Sequence, residues 1–170
     1  MESPSLMRSP KSGDSLVTVY IFGITQSTVE MLGGSGPPSV QLWEKYCREV
    51  LKPDGLEDLE MKGRFKAITK VANIDDVNIP GVAKPFNGKP VLIKKTGVLT
   101  KSADVLEMSV NVYLWPFHVK SGFSMTFPTF PTMILDSAFV IEGRDDSELP
   151  EQILGCVRVS FPRPELAVPL

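Results

Sequence analysis

A chain of 170 residues with 42% hydrophobic and 22% charged side chains and a net charge of -2 has the make-up of one globular domain. That near-neutral balance gives no overall attraction to nucleic acid. The most apolar region, residues 105–141, is broken by Glu107, Asn111, Pro116, His118, Lys120, Pro128, Pro131 and Asp136, so it offers no clean spanning helix of about 20 residues. The charge is nevertheless uneven. Residues 62–101 hold nine bases against Asp75 and Asp76, a local +7, and residues 102–170 hold nine acids against four bases, a local -5. A basic middle suits an anionic lipid surface or an acidic partner, or is simply a solvated face.

Residues 1–14, rich in Ser, Pro and Lys and without an apolar core of a secretory signal, are expected to be a disordered lead-in. LVTVYIFGI (residues 16–24) is β-branched and aromatic and predicts a strand. GGSGPPS (33–39) is a loop and lacks the Gly-Lys-Ser/Thr ending of a phosphate loop. VQLWEKYCREVLK (40–52) predicts a helix capped by Ser39, with Val40, Trp43, Tyr46, Cys47 and Val50 on one apolar face and Cys47 in the core. Leu42 and Leu51 fall beside that face.

RFKAITKVAN (64–73) alternates, with Phe65, Ala67, Thr69 and Val71 on one side and Lys66, Ile68, Lys70 and Ala72 on the other, as a half-buried strand does. IPGVAKPFNGKP (79–90) reads as loop. PVLIKKTGVLTK (90–101) reads as a strand with a turn at Thr96-Gly97, or as one bulged strand. VLEMSVNVYLW (105–115) alternates throughout and predicts a strand over its whole length. In residues 116–137, Pro128 and Pro131 would each cost a helix interior about 3 kcal/mol, so two shorter pieces with a bend are expected. SAFVIEG predicts a strand. After it, residues 146–155 predict a short helix capped by Asp146 or Ser147, with Leu149, Ile153 and Leu154 as its contacts and Gly155 closing it. GCVRVSF predicts the last strand. The fold class is therefore α+β, a mainly antiparallel sheet of five to six strands with two or three packed helices. The expected layout is one domain over residues 15–161 and a Pro-rich tail at 162–170.

Chemistry-bearing residues are sparse. His118 is the one histidine, no serine sits in a nucleophile elbow, and Cys47 and Cys156 stand far apart in no CxxC spacing. A disulfide framework is not indicated, which suits a cytoplasmic setting. One histidine and two distant thiols are too few for zinc, and basic and aromatic residues do not interleave as in an RNA-binding sheet. The acids Asp145, Asp146, Glu148 and Glu151 each have a capping or solvating explanation. The chain is expected not to be an enzyme, to use no metal or other cofactor, and to bind no nucleic acid.

The acidic segment also carries a resemblance. Ala138, Phe139, Val140 and Ile141, then Glu148, Leu149, Pro150 and Glu151, then Leu154 and Gly155, then Val157, Arg158 and Val159 resemble the closing part of the Enhanced Disease Resistance Two C-terminal domain. KPVLIKKTGVLTKSADVLEMSVNV (89–112) and SLVTVYIFG (15–23) are similar to earlier passages of that family, whose tryptophan-containing start is expected to be missing here. In the plant proteins that name the family, this domain follows pleckstrin-homology and lipid-transfer (START) domains and the proteins act at membranes as regulators. The resemblance therefore implies a non-enzymatic, peripheral, lipid- or membrane-associated regulatory role. On that reading Lys66, Lys70, Lys94 and Lys95 meet lipid phosphates, and Phe123, Phe127, Phe130 and Met133 line an apolar pocket or dip into a bilayer. The alternatives are a solvated strand face for the lysines and plain core packing for the aromatics, with the domain acting as a protein-interaction scaffold that has no lipid ligand.

Overall fold

The alternation of residues 64–73 is realised in β1 (Phe65–Val71), the strand on which the fold is organised. The computed structural model describes residues 17–34 and 36–167. β1 pairs antiparallel with β2 (Pro90–Leu92) on one side and β5 (Ile134–Ile141) on the other, and β6 (Gly155–Ser160) completes the order β2-β1-β5-β6. A separate hairpin joins β3 (Gly97–Lys101) to β4 (Leu106–Val110). The helices are α1 (Gln26–Glu30), α2 (Pro38–Glu49), α3 (Leu59–Lys62) and α4 (Phe117–Thr126). The class is α+β with a mainly antiparallel sheet.

The register assigns the two sheet faces. Phe65 and Ala67 lie opposite Ile141 and Phe139, while Lys66, Ile68 and Lys70 lie opposite Val140, Ala138 and Asp136. α2 covers the first of these faces, with Tyr46 6.3 Å from Phe65 and Trp43 6.2 Å from Phe139 between ring centres. Leu42, Tyr46 and Val50 bury there with Met61, Leu99 and Ile141 as the main core. A second core of Val77, Ile79 and Met133 closes the far end of the sheet, where Phe130, Val71 and Leu135 pack on it.

Tyr46 is fully buried, and its hydroxyl has no hydrogen-bond partner among the described residues. A buried, unsatisfied hydroxyl costs about 1–3 kcal/mol. Tyr46→Phe is therefore expected to raise the melting temperature by about 2–4 °C, the shift that about 1 kcal/mol produces in a domain of this size. Thermal unfolding followed by circular dichroism checks this, and a fall of similar size would show that the hydroxyl has a partner.

Several expectations are corrected. Residues 17–24 form no strand; they pair with no strand among the described residues, touching the sheet through Phe22, whose ring lies 5.2 Å from Phe139. Gly155 leaves the room for that ring, since a Cβ there would meet Phe139 and Phe22 within 3 Å. β-branched composition favours a pleated strand only where a ladder partner exists. α2 starts two residues earlier than expected, at Pro38 after Pro37, and Ser39 sits inside it, donating to Gln152 Oε1 at 3.1 Å instead of capping. Leu42 lies deep in the core, whereas Cys47 is only half-buried. β4 stops at Val110 because the Asn111 side chain accepts the Tyr113 N–H at 3.0 Å and turns the chain into a 3-10 turn at Val112–Leu114. α1 and α3 are short helices not anticipated from the pattern. Residues 1–14 lie outside the described residues except as sequence.

The proline-broken region falls into two pieces as expected. α4 gives way to a 3-10 run at Phe127–Thr132. Threonine hydroxyls there bond to carbonyls three residues back: Thr126 to Phe123 at 2.7 Å, Thr129 to Thr126 at 2.6 Å and Thr132 to Thr129 at 2.8 Å. They supply donors where Pro128 and Pro131 have no N–H.

Candidate functional site

The acidic segment after β5 folds differently from the expected helix. It makes a single 3-10 turn at Asp146–Glu148; Leu149 and Ile153 are exposed, and Gly155 opens β6 instead of closing a helix. Glu148 is neither capping nor solvated. It is buried, and so is Arg64 at the start of β1, which chelates the carboxylate with both terminal nitrogens. Lys45 of α2 donates to Glu148 Oε1 at 2.9 Å and the Arg144 N–H to Oε2 at 2.9 Å. The Arg64 Nε donates to the Glu142 carbonyl at 2.8 Å. Burial alone would push the Glu148 carboxyl up; Arg64 foremost, then the Arg144 N–H and Lys45, outweigh it and hold the carboxyl at about 2.

Neighbouring charges extend this node. Glu57 takes the Lys62 ammonium and the Leu99 N–H, the latter at 2.9 Å, tying the β3–β4 hairpin to α3. Glu151 accepts from Lys66 at 3.1 Å and from the Gly143 N–H at 3.2 Å. Two open depressions of about 400 and 510 Å³ flank Lys45. The first is lined largely by charges of either sign, including Glu49, Asp58, Glu60 and Arg144, and the second mixes Glu44, Arg48 and Glu148 with uncharged residues. A carboxylate held by this many donors is an anchor with no lone pair left for proton abstraction. The Cys47 thiol is pushed up to about 11 by burial, with Lys101 opposing, which removes its thiolate at neutral pH. Among the described residues no group of three or more His, Cys, Asp or Glu side chains could hold a metal ion.

This node consumes much of the basic middle. Lys62 and Arg64 are buried in ion pairs, Lys66 is held by Glu142 and Glu151, and Lys101 donates to the Cys47 carbonyl at 3.0 Å. The side chains of Lys70, Lys84, Lys89, Lys94 and Lys95 are exposed and form no ion pair or hydrogen bond among the described residues. The four lysines singled out from sequence are thus divided. Lys66 is occupied, Lys70 lies near the Val71 end of β1 with its stem beside Gly88, and Lys94 and Lys95 lie past Leu92 at the opposite end, with Lys94 beside Gly63.

The four apolar candidates divide as well. Met133 is core, 1% exposed. Phe123, Phe127 and Phe130 pack on one another at 5.0–6.5 Å, and Trp115 closes on Phe123 at 5.7 Å. They form a small aromatic cluster, and neither of the two depressions beside Lys45 is lined by them. The side chains left outward are others: Leu114, Phe117 and Met125 around α4, and Val82, Phe86, Val91 and Leu92 beside the free lysines. Sequence reading passed over Lys84, Lys89 and Phe86 because 79–90 looked like plain loop. The signal was present in another form: residues 77–103 contain five lysines and no acid, and residues 108–135 contain no acid either.

The two acid-free stretches meet in space. The Asn111 N–H donates to the Thr96 carbonyl at 2.9 Å, and the Asn73 amide donates to the Thr132 carbonyl at 3.0 Å. The segment carrying α4 therefore starts beside Lys95 and ends just past the Val71 end of β1.

These features define an antiparallel α+β domain closed by an ionic clamp and carrying a lysine-rich, partly apolar surface. The chain belongs to the family described as protein ENHANCED DISEASE RESISTANCE 2, C-terminal, whose model matches residues 6–161. No curated protein and no solved structure matches it. No helix among the described residues is long and apolar enough to cross a membrane.

Proposed function

We propose that this domain is a non-enzymatic regulatory module that associates peripherally with anionic lipid surfaces. The observation that carries the reading is the segment from Val82 to Lys95, in which the exposed Lys84, Lys89, Lys94 and Lys95 alternate with the exposed Val82, Phe86, Val91 and Leu92, and no acid intervenes. Lysines near an anionic leaflet contribute about 1 kcal/mol each, and exposed apolar side chains among them favour the interface over free solution. Co-sedimentation with phosphatidylcholine vesicles, with and without phosphatidylserine, tests it. Binding should require the anionic lipid and weaken with salt; equal absence of binding to both vesicles would sink the reading. A protein-interaction scaffold is favoured by one separate feature, the unpaired residues 17–24, where Ile21 is 91% exposed. A chain that stays monomeric and retrieves no partner would remove that second reading.

A further inference from the structure

Short helices draw their stability from burying an apolar face, and α4 is an exception. Its ten residues, FHVKSGFSMT, include no buried side chain. Its one formally charged side chain, Lys120, turns back to the Tyr113 carbonyl at 3.2 Å. Phe123 faces inward, onto Trp115, Phe127 and Phe130, all from its own flanks. The opposite result holds for Phe117 and Met125, which are 70% and 57% exposed. They are eight residues and about 80° apart around a helix of 3.6 residues per turn, on one side of it with Ser121 between them. Leu114, 60% exposed, precedes them in the 3-10 turn.

What covers these side chains is indicated by charge. No acid occurs from residue 108 to 135, and the helix starts a few residues from the bond that ties Asn111 to Thr96, next to Lys94 and Lys95. The nearest acids in sequence, Asp76 and Asp104, bracket the lysine-rich run without entering it. A water-soluble acidic partner would satisfy the lysines and leave the apolar side chains of Leu114, Phe117 and Met125 exposed. An anionic bilayer satisfies both, with headgroups for the lysines and an acyl boundary for the helix.

We infer that α4 is an interfacial helix, and that Leu114, Phe117 and Met125 enter the acyl boundary of an anionic bilayer while the aromatic cluster behind them holds the helix at its angle. This rests on the lipid-surface reading and assigns it a second, non-electrostatic component. The test uses the full chain and phosphatidylcholine vesicles containing about one-third phosphatidylserine. Phe117→Trp should show added quenching by brominated acyl chains relative to the native tryptophans. Phe117→Ala with Met125→Ala should weaken vesicle binding about tenfold, with an unchanged melting temperature because both side chains are exposed. Unquenched Phe117→Trp together with full affinity of the double alanine variant overturns the inference and leaves the electrostatic reading standing. Quenching in purely neutral vesicles keeps the helix insertion and overturns the requirement for anionic lipid. Binding to neither vesicle overturns both.

Discussion

Glu148→Ala is expected to destabilise the domain by about 3–5 kcal/mol, the loss typical when one partner of a buried ion pair is removed and the other stays behind. Here the group left behind is Arg64, 4% exposed and fixed by its Nε bond to the Glu142 carbonyl. Lys45 and the Arg144 N–H lose the same acceptor. Urea unfolding should show a lower midpoint at an unchanged slope. Replacing both members with apolar residues, Arg64→Met with Glu148→Leu, should recover much of the loss, because the desolvated charge is then gone. A loss below about 1 kcal/mol for Glu148→Ala would mean that the clamp is solvated and weak.

The same carboxylate predicts acid sensitivity. Its pKa is lowered from 4.5 to about 2 in the fold. A group whose folded pKa is depressed contributes stability above its unfolded value and loses it as the pH falls through the folded one. The contribution of Glu148 is thus complete above about pH 4.5 and fades towards pH 2. Glu57, held down by Lys62 and the Leu99 N–H against the effect of burial, adds in the same direction. Glu148→Gln should therefore flatten this part of the acid limb, measured as urea midpoint against pH.

The second large effect is on membrane association. Converting Lys84, Lys89, Lys94 and Lys95 to Gln should lower partitioning onto phosphatidylserine-containing vesicles about 1000-fold, at about 1 kcal/mol per lysine. All four are exposed, so the fold should be unaffected, as thermal unfolding will show. Lys66→Gln is the contrasting variant. Its ammonium is already held by Glu142 and Glu151, so it should leave vesicle binding nearly unchanged. Equal losses from Lys66→Gln and from any one of the free lysines would show that the ion pairs do not divide the basic residues in this way.

Much of the architecture was legible because it rests on local periodicity. The period-two pattern of residues 64–73 sets both faces of β1, and the 3.6-residue pattern around Trp43 and Tyr46 sets the inward side of α2. The prolines at 128 and 131 set the break after α4. Residues 17–24 show the limit of such reasoning, since their composition matches a strand and only the lack of a partner strand among the described residues decides otherwise. The candidate site was legible by kind and not by residue. Lysines and apolar side chains were the right types, but Lys66 and Met133 belong to the clamp and the core.

The sequence by itself determined the α+β class, the family through the segment around Glu-Leu-Pro-Glu, and the existence of a basic middle. The tertiary structure alone decided which charges of that middle are available. Arg64 and Glu148 stand 84 residues apart and Lys66 and Glu151 85 apart, and no local pattern encodes such pairs. Long-range packing brings them together, Arg64 and Glu148 in a place where water is excluded. What looked like a surface acidic turn is there the anchor of a buried arginine.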